Sequence, residues 1–127
     1  MPRRRTDPAA GGQAVARWLA EGRSAPRDVV ATAVRYSLEE LAARTPGRST
    51  EVRVPPFAAV QCIAGTRHTR GTPPNVVETD AQTWLALVTG SLAWADAVAE
   101  GLVSASGARS DLSALLPLPA VAGSGYV

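Results

Sequence analysis

Apolar residues recur along this chain with two different periods, and those periods divide it into helices and strands. Val30, Val34, Leu38 and Leu41 fall at helical spacing between Pro26 and Ala43, with Arg27, Arg35, Glu39 and Glu40 mostly off that stripe. The spacing predicts an amphipathic helix packed on a core. Ser24 is the expected N-cap, Pro26 suits a first turn, Asp28 complements the positive helix end, and Thr45-Pro46-Gly47 stops the helix. Arg35 and Glu39 are spaced for an i,i+4 pair. A shorter helix is expected from about Ala9 to Glu21, with Val15, Trp18 and Leu19 on one stripe and Gly22 at its end. The stretch Glu51-Val52-Arg53-Val54 alternates polar with apolar, as a strand covered on one face should. After Pro55-Pro56, the run Phe57 to Ala64 is nearly continuous apolar sequence, broken by Gln61 and stopped by Gly65, which predicts a more central strand.

Residues 66–74 carry glycine, proline, two arginines and the histidine without an apolar period, and read as a loop. A strand Asn75-Val76-Val77-Glu78 follows, then helices Thr79 to Thr89 and Ala93 to Glu100, a strand Leu102 to Ser106, and a last helix closing at Leu115-Leu116-Pro117. Thr79-Asp80-Ala81-Gln82 fits the capping box, and Gly90 and Gly101 stand where a left-handed residue ends a helix. Val103 and Ala105 point opposite to Ser104 and Ser106, so that strand has one wet face. The order predicts an α+β fold, with helices segregated to one face of a mainly antiparallel sheet.

Composition narrows the function classes. A chain of 127 residues makes one domain with a substantial core. One cysteine, Cys62, excludes an internal disulfide, and one histidine, His68, leaves no familiar zinc or iron ligand set, so neither metal nor cofactor is expected. No run of about 18 apolar residues offers a membrane-spanning helix, and Arg17, Glu21 and Arg23 interrupt an export signal after the basic start, so a cytoplasmic protein is expected. Residues 1–70 hold twelve arginines against six acids, while residues 71–127 hold one against five. The front half suits an anionic surface, and transient membrane contact is allowed. Sparse aromatics without basic-aromatic alternation argue against nucleic acid. Ser24, Ser37 and Ser91 lie in no recognised catalytic arrangement, and Cys62 falls in a buried strand, so no catalytic residue is assigned.

The run Asp80 to Gly90, continuing through Trp94-Ala95-Asp96-Ala97-Val98 to the segment Gly101 to Gly107, resembles the closing half of the sterol carrier protein fold: two helices each ending in glycine, then a strand ending in glycine. Arg53-Val54-Pro55-Pro56 and the stretch Arg67 to Glu78 resemble the actinobacterial branch of small, single-domain sterol carrier-like proteins. Together these cover roughly residues 26–118. The expected organisation is a disordered tail over 1–8, an extra N-terminal helix over 9–22, the sterol carrier-like domain over 23–118 and a flexible tail over 119–127.

The resemblance implies a five-stranded sheet with helices on one face and an apolar tunnel between them that holds a fatty acyl chain, sterol or similar lipid. Val60, Trp84, Leu85, Val88, Trp94, Val98, Val103, Leu112 and Leu115 would line it; read from spacing alone, such residues equally fill a solid core. Arg67, His68 and Arg70 beside Gly71 make a possible anion clamp, or else a loop whose arginines pair with acids such as Glu78. The family transfers or presents lipids without catalytic residues. Its fold also occurs as an appended module in thiol-dependent isomerase-type proteins, which keeps a protein partner open as the alternative.

Overall fold

In the computed structural model, residues 6–65 and 74–122 are described. Asp7 caps α1 (Pro8–Glu21) by accepting from the Ala10 amide, and Pro8 sits in the first turn, where its missing N–H costs nothing. Residues Thr6 to Pro8, expected in a loose tail, are therefore ordered, and Thr6 donates from its amide and hydroxyl to the Glu39 carboxylate. That engagement replaces the expected Arg35–Glu39 pair as the contact shown for Glu39. Gly11 lets α1 lie so close to α2 (Arg27–Arg44) that a Cβ there would overlap the Tyr36 ring. Val15 and Trp18 are buried as expected, whereas Leu19 is 39% exposed, because the stripe is narrower than its spacing suggested.

Helix α2 carries Val30, Val34, Leu38 and Leu41 into the core, all 5% exposed or less. Its cap differs from expectation. Pro26 occupies the N-cap without a side-chain bond, and the Ser24 hydroxyl instead donates back to the Glu21 carbonyl within a 3-10 turn.

Four strands form one sheet among the described residues: β1 (Thr50–Val54), β2 (Ala58–Cys62), β3 (Asn75–Thr79) and β4 (Val103–Ser106), in the order β2-β1-β3-β4. Pairing is antiparallel for β1–β2 and β3–β4 and parallel for β1–β3, so the sheet is mainly antiparallel. The fifth strand implied by the resemblance is not among the described residues; the chain's own alternation supplies these four. The run Phe57 to Ala64 is not central either, since β2 takes an edge of the sheet and β1, shorter in apolar run, lies inside it. On one face Thr50, Val52, Val54, Val77 and Thr79 are buried, while Glu51, Arg53 and Glu78 occupy the other, partly or fully exposed. Helices therefore cover a single face, as patterning requires.

Helix α3 (Ala81–Thr89) begins one residue later than the capping box implies. Asp80 is the N-cap, accepting from the Thr83 amide and hydroxyl, because a carboxylate meets the positive helix end better than a hydroxyl. Thr79 bonds the Leu102 carbonyl instead, and Gln82 accepts from Trp18 Nε1 across 2.9 Å. Gly90 (φ 85°) and Gly101 (φ 74°) are left-handed, ending α3 and α4 (Trp94–Ala99) as expected. No helix closes at Leu115-Leu116-Pro117. The chain there is a turn with the Leu115 amide on the Leu112 carbonyl, and α5 (Pro119–Ala122) follows, with Val121 fully buried in the stretch expected to be a loose tail. No helix among the described residues is long and apolar enough to cross a membrane.

Candidate functional site

Ile63 organises a site where, among the described residues, apolar surface, an arginine anchored by its backbone and unusual backbone geometry meet. Its φ is 66°, an outlier for a β-branched residue, and the conformation is held from both sides. The Ile63 amide donates to the Thr45 carbonyl at 2.7 Å, and its own carbonyl accepts from the Ser49 amide and hydroxyl. Gly47 makes this turn possible, since a Cβ there would strike the Ile63 carbonyl.

The network continues inward through buried polar groups. The Asn75 side chain donates to the Ser49 carbonyl at 2.7 Å and accepts from the Arg109 amide at 2.9 Å, while the Thr50 hydroxyl donates to the Arg109 carbonyl. Asn75 is 5% exposed and Thr50 fully buried, so each of these bonds is costly to lose. The consequence is that the Arg109 backbone is fixed at the sheet end while its guanidinium stays at the surface, where Nη1 bonds the Ala64 carbonyl at 3.3 Å.

Above this floor lies an open groove of about 460 Å³, walled by Pro46, Ile63, Ala64, Ala114 and Leu115, with Arg109 and Asp111 at its rim. The lining is mostly apolar. Hydrogen bonds from Ser113 hold the Asp111 carboxyl below its usual range, so Asp111 stays ionised, and its amide partner occupies one oxygen. A smaller pocket of about 160 Å³ continues past Thr45, Ala114 and Leu115 to Pro117 and Leu118. On the other side of the same segment, Leu87, Leu92, Trp94, Leu116 and Pro117 border a third pocket of about 390 Å³.

The residues expected to line a tunnel fall into three groups. Trp84, Leu85, Val88 and Leu112 are fully buried and Val103 is 9% exposed; they pack in the common core and border neither the groove nor the two pockets beside it. Trp84 Nε1 is satisfied there by the Ser37 hydroxyl at 2.9 Å. Leu115 walls the main groove, Trp94 the third pocket, and Val60 a separate one beside α2 with Phe57 and Leu38. Val98 turns outward at 46% exposed, because α4 presents the small Ala97 to the core. Arg67, His68 and Arg70 lie outside the described residues.

Sequence reasoning passed over Arg109, Asn75 and Ile63. Arg109 carried a signal, as the single basic residue after position 70. Cys62 is buried, and burial pushes its thiol up to about 11, so it stays protonated and a poor nucleophile near neutrality.

A family model described as bacterial SCP ortholog matches residues 26–118. No curated protein matches the chain.

Proposed function

The chain belongs to the bacterial SCP ortholog family, and from that premise we propose that it is a non-catalytic, carrier-like protein that holds an apolar ligand with an anionic head. The observation that carries this reading is the groove of about 460 Å³, whose walls are apolar and whose rim holds Arg109 on a backbone fixed by Asn75 and Thr50, with the ionised Asp111 also at the rim, so that the head must sit on the Arg109 side. That volume falls within the range of about 300–1,000 Å³ typical of small-molecule sites. Burying ten methylenes contributes roughly 8 kcal/mol before the costs of association, so the apolar walls supply the main driving force and contact with the head group has to add to it. Of the five donors on a guanidinium, the one engaged by Ala64 leaves others for a carboxylate or phosphate. The strain at Ile63 belongs to the same reading, since such backbone persists where surrounding structure over-determines it and tends to mark ligand sites.

A fluorescent fatty acyl probe tests the proposal. Saturable binding, displaced by unlabelled fatty acid and weakened at least about tenfold by Leu115→Asp, is the expected result. Arg109→Gln should weaken the fatty acid more than the matching neutral alcohol. Absence of saturable binding by the folded protein overturns the reading.

A further inference from the structure

Strand β2 stands at an edge of the sheet, pairing with β1 and with no other strand among the described residues. Natural edge strands are commonly guarded by a charge, a proline or a bulge. Ala58-Ala59-Val60-Gln61-Cys62 has none of these: no residue is charged, none is proline, and the register with β1 runs unbroken over the whole strand. The chain also leaves β2 away from its open side. Left-handed Ile63 turns it beneath β1, where the Ile63 carbonyl accepts from Ser49, the Ala64 carbonyl accepts from Arg109, and Gly65 lies so near Ser49 that a Cβ would overlap its side chain. The side chains of β2 that face the helices show the same openness. Val52, Val54 and Val77 on the inner strands are fully buried, whereas Ala58 and Val60, paired with Val54 and Val52 on that same face, are only half-buried. Beside them a pocket of about 390 Å³ opens between β2 and α2, with Arg35 and Glu39 on its helix side.

Charge decides what lies along this edge. Arg35 is exposed and in no ion pair among the described residues, and the Glu39 carboxylate takes the neutral amide and hydroxyl donors of Thr6 in place of a cation. A cation and an anion four residues apart on one helix complement the same two groups on an antiparallel copy of that helix, because each Arg35 then faces the other copy's Glu39. A two-fold axis perpendicular to the sheet supplies that arrangement: it sets β2 antiparallel to β2, keeps the helices of both copies on one face, and runs α2 antiparallel to α2. A foreign segment of single-sign charge is attracted by one of these groups and repelled by the other. We propose that β2 is the pairing edge for a second copy of this chain, the two sheets joining through their β2 strands while two Arg35–Glu39 pairs close over the junction. The pocket at this edge shares no lining residue with the groove at Ile63, so the pairing holds whether or not that groove takes a lipid.

Sedimentation velocity on the full chain, from micromolar to near-millimolar concentration, tests this together with amide hydrogen exchange at both ends of the range. A monomer–dimer equilibrium is expected, with the outward amides of β2 exchanging more slowly as dimer forms. Arg35→Glu and Glu39→Arg should each weaken the dimer at least about tenfold by setting like charges face to face. An equimolar mixture of the two variants should recover it, since both cross pairs in the mixed dimer again join opposite charges. Arg35 is exposed and Glu39 partly so, and circular dichroism confirms that both variants fold. A chain that stays monomeric throughout, dimerisation untouched by either reversal, no recovery in the mixture, or protection that falls on β4 in place of β2 each overturns the proposal. So does a monomeric chain that takes a short extended peptide along β2, which would assign the edge to a partner's strand.

Discussion

Two regions of this molecule are both rich in apolar side chains and differ in how completely those side chains are buried. Between α2, α3 and the sheet, Leu38, Leu41, Val52, Val77, Trp84 and Leu85 are all fully buried. Around residues 109–119 the chain is irregular, anchored by Leu112 and Leu118 at 0% and 1% exposed, while Leu115 and Leu116 between them are only half-buried. Three pockets border that segment. Regular elements repeat their side chains at fixed spacing and interlock, whereas a single irregular strand of chain can seat every few residues and leaves grooves on either side. The groove at Ile63 and Leu115 therefore lies beside the least periodic part of the chain, while a further pocket opens at the surface between α2 and β2.

The largest test of that contrast is Trp84→Ala. Removing a fully buried indole from a filled interior, along with its bond to Ser37, should cost about 3–5 kcal/mol in urea unfolding. Binding of an acyl probe in the groove should change little in the variant that remains folded. A loss under about 1 kcal/mol would mean that the interior already contains slack, which breaks the comparison at its first term.

The parts of the fold legible in the sequence are those whose period is long or whose ending is chemically marked. The helix through Val30, Val34, Leu38 and Leu41 repeats over several turns, and Gly90 and Gly101 mark helix ends that only a left-handed residue closes comfortably. Edge and centre of the sheet were not legible: the eight-residue apolar run from Phe57 suggested a central strand, yet it ends at Ile63 in a strained turn and lies at the edge. The run is apolar even at Ala59, which stands exposed on the outer face, so apolarity alone does not report coverage. The candidate site was least legible because it is assembled from distant residues. Thr45, Ser49, Asn75 and Arg109 meet through backbone groups, which leave no side-chain pattern in a sequence.

Asn75→Ala probes the joint between the two regions. Its amide spans from the Ser49 carbonyl to the Arg109 amide, so its removal strands one buried and one partly buried backbone partner. A cost of about 1–3 kcal/mol is expected by urea unfolding. The same variant frees the start of the C-terminal segment, and preference for a fatty acid over its neutral alcohol should fall with it. Retained preference would show that Thr50 and the bond to Ala64 place Arg109 without Asn75.

The smallest expected effect concerns α1, which precedes the family match at residue 26 yet packs closely on α2. Trp18 reaches past that helix to donate to Gln82 on α3, joining the added helix to the filled interior and not to the grooved segment. Trp18→Phe keeps most of the apolar contact and deletes the donor, but it also shrinks the ring, so the single variant mixes two losses. A cycle with Gln82→Ala separates them: the coupling between the two side chains should be about 0.5–1.5 kcal/mol, toward the lower end because Gln82 is partly exposed and water can replace its partner. A coupling near zero, with Trp18→Phe still destabilising, would mean that α1 is held by ring packing alone. The close approach at Gly11 would then be what ties the added helix to the domain.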